Sequence, residues 1–222
     1  LARYAHEHKV RWLYFSWPEA ETRPRFYYLL DTTGVVPGLT PRRSTRPHPA
    51  VLYEIGPEFG QVPAWLANDT VLAYHSLRAR LMVEGDNPKV LLTYAQVLRM
   101  RGNDGLARSA AVRAANVAPR DVEVLTMAAG VVLGVGDGET ALELLRRAAA
   151  LAPGDEKTRL GLGLALLTTG RSAEAASVWR PVIEAGGDVE ILMEMVKLYR
   201  ATGDGDAERR AMDRLRALGG TP

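Results

Sequence analysis

Four glycines set the frame of this chain. Gly102, Gly136, Gly170 and Gly203 fall 34, 34 and 33 residues apart, and fifteen positions before each stands Asn87, Asp121, Asp155 or Asp188. An Asn or Asp oxygen accepts from the exposed N–H groups of a first helical turn. Glycine tolerates the left-handed backbone that closes a helix. The spacing therefore predicts a capped helix that stops at each glycine, then a second helix before the pattern restarts. Pro88, directly after Asn87, suits a first helical position. Pro119 and Pro153 close the second helices of the first two units, and Gly187 closes that of the third. The chain says "VRAANVAPRD" at 112–121 and nearly repeats it as "LRRAAALAPGD" at 145–155. Units that repeat in this way cover their apolar faces by leaning on their neighbours.

The apolar positions fit two amphipathic helices per unit. Leu91, Tyr94, Ala95 and Leu98 share one face of the first helix, as do Leu125, Ala128, Ala129 and Val132 one repeat later. The second helices carry Ala107, Ala111 and Ala114, then Ala141, Leu145 and Ala148, then Ala175, Trp179 and Val182. This pattern closely resembles the tetratricopeptide repeat, a helix–turn–helix unit of about 34 residues. The matching positions are the alanine early in the second helix (Ala107, Ala141, Ala175), the small residue of the first (Ala95, Ala129, Gly163) and the closing proline (Pro119, Pro153). The family's tryptophan is replaced by Leu91, Leu125 and Arg159, and its mid-helix tyrosine by Leu98, Val132 and Leu166. The resemblance implies a mostly α fold, a right-handed α-solenoid over 87–218 with units 87–120, 121–154, 155–187 and 188–218. Residues 64–86 read as a lone helix capping the front of the array. Ala207, Ala211, Leu215 and Leu218 form one apolar stripe among charges, as a closing helix should.

Residues 1–63 are made differently. They hold ten of the fifteen aromatic residues. "LARYAHEH" has helical character, and "VRWLYFS" reads as a buried strand. "PEAETRPRFYYLLDTTG" reads as a helix that Pro24 must break or restart. "GLTPRRSTRPHPAVLYEIG" reads as two strands joined by a loop. The result is a small α/β layer in front of the repeats. Residues 1–56 are also similar to the soluble tail of bacterial multi-spanning membrane glycosyltransferases related to protein O-mannosyltransferases. That resemblance rests on the "VRWLYFS" strand, the helix ending in "LL" and the "VLYEI" strand. It implies that any chemistry belongs to a membrane part preceding this segment, and it assigns no catalytic residue here. Residue 1 is Leu and no signal peptide is visible, so the segment reads as an excised piece of a longer polypeptide.

The first helices of tetratricopeptide repeats line a concave surface where partners lie. By that resemblance the groove takes Lys89, Gln96 and Arg99 from the first unit and Thr126, Gly130 and Leu133 from the second. Leu160, Leu164 and Leu167 come from the third, and Met193, Lys197 and Arg200 from the fourth. Its middle is apolar and its ends are basic. Such a face suits an apolar or acidic-ended peptide, the amino-terminal part of the chain, or a second protomer. The Asn/Lys pattern that clamps a peptide carboxylate in some members is missing.

Other chemistry finds little footing. The chain has no cysteine, which excludes disulfides and thiolate chemistry, and its net charge of +2 gives no case for nucleic acid. The glycines of "GVVLGVGDG" follow a helix and precede Glu139 and Thr140, so they lack the strand and Gly-Lys-Ser/Thr of a phosphate loop. "GLG" at 161–163 sits inside a helix. His6 and His8 are two apart and make a poor metal pair, and Glu19 and Glu21 suit a helix start. No cofactor or metal is expected. Arg42, Arg43 and Arg46 form a basic loop suited to phosphate oxygens. Membrane contact is expected only through an upstream segment. The leading expectation is a non-catalytic protein-interaction module. The alternatives are the glycosyltransferase tail and a small enzyme within 1–60.

Overall fold

The computed structural model describes residues 2–34, 36–45, 48–61, 68–185 and 189–219. Arg46, Gly187 and Asp188 lie outside them. The chain divides into two compact units, 1–117 and 118–222.

The first unit begins with a short helix α1 (Ala2–Glu7), strand β1 (Trp12–Ser16) and helix α2 (Trp17–Thr22). A 3-10 segment, Pro24–Leu30, follows, then strands β2 (Leu39–Thr45) and β3 (Ala50–Ile55). The strands pair antiparallel in the order β1-β3-β2, with Phe15 opposite Val51 and Leu39 opposite Ile55. One face of this sheet builds the core. Phe15, Val51 and Tyr53 pack with Leu29 and Leu30 of the 3-10 segment. Pro24 opens that segment, where its missing N–H costs nothing.

Helix α3 (Asp69–Glu84) packs into two cores of the unit. Asn68 caps it, accepting from the N–H groups of Thr70 and Val71. One side gives Ala79 to the sheet core. Another gives Leu77, with Ala73 and Leu81, to Val90 and Val97 of α4 (Pro88–Met100). A helix that buries two sides has no single apolar stripe, which is why it joins the layer to the first hairpin. That hairpin is completed by α5 (Asp104–Val117), whose Ala107, Ala111 and Ala114 are fully buried.

The second unit holds three hairpins: α6 (Val122–Gly134) with α7 (Gly138–Leu151), α8 (Glu156–Thr168) with α9 (Ser172–Ala185), and α10 (Val189–Thr202) with α11 (Gly205–Ala217). Asn87, Asp121 and Asp155 each accept from first-turn N–H groups of the helix that follows. Gly102, Gly136, Gly170 and Gly203 all have φ between 72° and 85°, the left-handed conformation that a side chain would strain. Asp137 and Asp204 cap second helices in the same way. In this unit each hairpin nests on the next, α7 against α8 and α9 against α10, and first helices α6 and α8 also touch.

Candidate functional site

The described first helices carry the residues that the repeat register assigns to a groove. In the first unit Lys89, Gln96 and Arg99 stand exposed on α4. In the second unit Thr126 and Leu133 on α6 are half-buried and Gly130 is exposed. On α8, Leu160, Leu164 and Leu167 are all half-buried: they are neither closed into the core nor bare. Their spacing of four and three residues puts them on one stripe of the helix. Met193 on α10 is half-buried, while Lys197 and Arg200 are exposed.

The basic end is less free than its sequence implies. Lys197 Nζ lies 2.7 Å from Glu194, and Arg200 Nε lies 2.9 Å from Glu208 on α11. Both pairs are open to solvent, so each contributes under about 1 kcal/mol and leaves the cations available to a competing carboxylate.

Thr126 does something the register does not foresee. Its hydroxyl lies 2.9 Å from that of Thr158, which is buried. Thr158 gives its own hydroxyl proton to Asp155 at 2.6 Å, while its N–H donates to the same carboxylate oxygen at 2.7 Å. A hydroxyl has one proton, so Thr126 must be the donor in the pair. The cap of α8 is thereby tied to α6. Donation from the Thr158 hydroxyl, and then from its N–H, holds the Asp155 carboxyl below the usual range.

Beside this link a groove of about 670 Å³ opens between the starts of α6 and α8. Glu123, Thr126 and Met127 line one wall, and Asp155, Glu156 and Lys157 the other. Glu123 and Lys157 were not picked out by sequence, although each follows Lys89 by one or two repeats of 34. The register itself was the signal.

The core behind the leucines rests on one close approach. A Cβ on Gly163 would lie 2.0 Å from the indole of Trp179, so only glycine lets α9 sit this near α8. Trp179 is fully buried, and its Nε1 donates to the carbonyls of Arg159 at 3.1 Å and Leu160 at 3.3 Å. Two residues earlier, on the other side of the helix, a Cβ on Gly161 would lie 2.9 Å from Leu145 of α7. The "GLG" of α8 is therefore a packing device on both sides.

Residues 132–188 match the family described as tetratricopeptide repeat. The hairpins have the tetratricopeptide-repeat fold. Solved structures agree on the fold. PilF of Pseudomonas aeruginosa superposes with a TM-score of 0.57 at 22% identity, covering 71% of this chain and 72% of its own. MamA of Desulfovibrio magneticus RS-1, residues 41 to the end, gives 0.55 at 16% identity, covering 68% and 85%. A tetratricopeptide repeat protein of Parabacteroides merdae gives 0.57 at 18%, covering 68% and 61%. No curated protein sequence matches significantly. These likenesses establish the tetratricopeptide-type fold. Nothing in these matches supports the glycosyltransferase resemblance of residues 1–56.

Several polar residues of the first unit hold its elements together. Asp31 is buried, and its Oδ1 accepts from the Thr33 N–H at 3.2 Å and hydroxyl at 2.7 Å. Its Oδ2 faces His75 Nδ1 at 2.8 Å and Arg78 Nε at 3.3 Å. These four contacts occupy the acceptor positions of a carboxylate, so Asp31 clamps α3 to the sheet layer. Beside it, the Tyr53 hydroxyl donates to the Leu29 carbonyl at 2.6 Å. Burial first, then the Asp31 charge, pushes the Tyr53 phenol up. Glu19 accepts from the Ser16 N–H at 3.2 Å, a helix-start role. His6 Nε2 faces the Phe59 carbonyl at 2.7 Å. Among the described residues no group of three or more His, Asp or Glu could hold a metal ion. No described helix is long and apolar enough to cross a membrane.

Proposed function

We propose that the second unit receives a segment of a partner protein along the first-helix face of α6 and α8. The half-buried row of Leu160, Leu164 and Leu167 carries this reading. Its leucines keep apolar surface that a ligand can cover, and completing the burial of one leucine is worth part of the ~1.5–3 kcal/mol that a whole side chain gives. The partner segment is apolar where it meets this row. It is polar where it crosses the groove lined by Glu123, Thr126 and Lys157. Carboxylates on the segment compete with Glu194 and Glu208 for Lys197 and Arg200. The face is a binding surface and performs no bond chemistry.

Peptides selected on the intact protein from a random display library test the reading. The enriched peptides are expected to share apolar residues flanked by acids. Leu164→Lys should weaken the best of them by about tenfold or more, with helicity and melting temperature unchanged. Equal affinity for the variant rejects this face as the binding surface.

A further inference from the structure

The sheet of the first unit covers one face and leaves the other open. Along β1, Leu13 and Phe15 turn into the core. Side chains alternate on a strand, so Trp12 and Tyr14 turn outward, and they are 43% and 62% exposed. The register sets Glu54 opposite Trp12 and Leu52 opposite Tyr14, and brings Arg43 beside Leu52. Arg42 is the extra residue where the β2 register shifts, and its guanidinium pairs with Glu54 at 2.6 Å. Arg11 reaches the same carboxylate from the β1 side at 3.2 Å and lies 5.3 Å over the Trp12 ring. Hydrogen bonds from Arg42, and then Arg11, hold the Glu54 carboxyl below the usual range.

Charge on this face is therefore unbalanced. Three guanidiniums against one carboxylate leave +2 (3 − 1) around two exposed aromatic rings. The whole chain shows the same bias. Residues 1–63 carry eight Lys/Arg against six Asp/Glu, and the remaining 159 carry twenty of each, so the net +2 arises entirely in the first segment.

We propose that this open sheet face docks on the surface of an anionic lipid bilayer. Trp12 and Tyr14 enter the headgroup layer, and Arg11, Arg42 and Arg43 meet lipid phosphates. Tryptophan and tyrosine suit a boundary where one end of the ring is apolar and the other wet. An anionic surface attracts nearby cations, and the guanidinium fork matches phosphate oxygens. A single-stranded nucleic acid is the other polyanion that seeks rings and arginines, and it fits less well. One face of the Trp12 ring is already covered by Arg11, and Glu54 sits on the central strand, where a stacked strand would have to cross.

Vesicle flotation with the full chain tests the proposal. The protein is expected to float with phosphatidylcholine vesicles containing phosphatidylglycerol, to sink with phosphatidylcholine alone, and to be released by salt. Arg43→Glu should weaken retention about tenfold or more. The double variant Trp12→Ser/Tyr14→Ser should lose it while keeping the wild-type melting temperature. Arg43→Gln, a milder change at an exposed position, should give an intermediate loss. Equal flotation on neutral vesicles overturns the proposal, as does equal flotation of Arg43→Glu. Tight binding of a labelled oligothymidine with no flotation overturns it too, and assigns the face to nucleic acid.

Discussion

The α6–α7 and α8–α9 hairpins are built to one plan and filled in opposite ways. Where the first has Ala129 in its leading helix and Leu145 in its following one, the second has Gly163 and Trp179, each 34 residues on. All four positions are inaccessible or nearly so. Volume removed from one helix is returned by the other. The α8–α9 exchange also adds a polar anchor, because the buried Trp179 N–H must find an acceptor and takes the Arg159 and Leu160 carbonyls. Equivalent buried positions are thus filled by a small residue and an adaptable aliphatic one in one repeat, and by a rigid ring against a bare backbone in the next. The half-buried leucines stand on the helix that depends on the rigid contact.

The largest break in this comparison is Trp179→Ala. It removes a fully buried indole and should cost about 3–5 kcal/mol, against about 2–4 kcal/mol for Leu145→Ala at the equivalent place, both read from denaturant unfolding. Next comes Tyr53→Phe in the first unit, which leaves the Leu29 carbonyl without its donor and should cost about 1–2 kcal/mol. The raised Tyr53 pKa adds a sign. Its contribution is complete below the ordinary phenol value of about 10 and is lost as pH rises above it, so the phenylalanine variant should lack this alkaline decline.

Asp155→Ala is the smallest expected effect, about 1 kcal/mol. Because the folded carboxyl is held below its ordinary value of about 3.9, the cap stabilises fully above that pH and fails as pH falls below it. Asp155→Asn keeps an acceptor for the Thr158 N–H. It should retain stability near neutral pH and flatten the acid limb in a pH series of melting temperatures.

What the sequence made legible was local or periodic. Caps at Asn87, Asp121 and Asp155 and stops at the glycines are one-turn rules, and the 34-residue register carried them along the chain. The same register would have led from Lys89 to Glu123 and Lys157, had it been read around the helix as well as along the chain. Gly163 could be recognised as the small residue of its helix, but not why alanine fails there, since the reason is a ring sixteen positions away. The Thr126–Thr158 link spans 32 residues, out of step with the repeat. The Asp31–His75 clamp spans 44 and obeys no period. Pro181 sits inside α9, where proline usually ends a helix. Each of these depends on which elements pack together, and that is settled by the fold as a whole.

The most direct test is a double-mutant cycle on Gly163 and Trp179. Alanine at 163 gains about 1 kcal/mol of helix propensity and meets the indole head-on, so the single variant should lose about 1–3 kcal/mol net. Adding Trp179→Leu recreates the Ala129/Leu145 pair and should recover most of that loss, with a coupling of about 2 kcal/mol or more. If the two changes simply add, within about 0.5 kcal/mol, α8 and α9 do not meet as described and the account of the hairpin's packing is wrong.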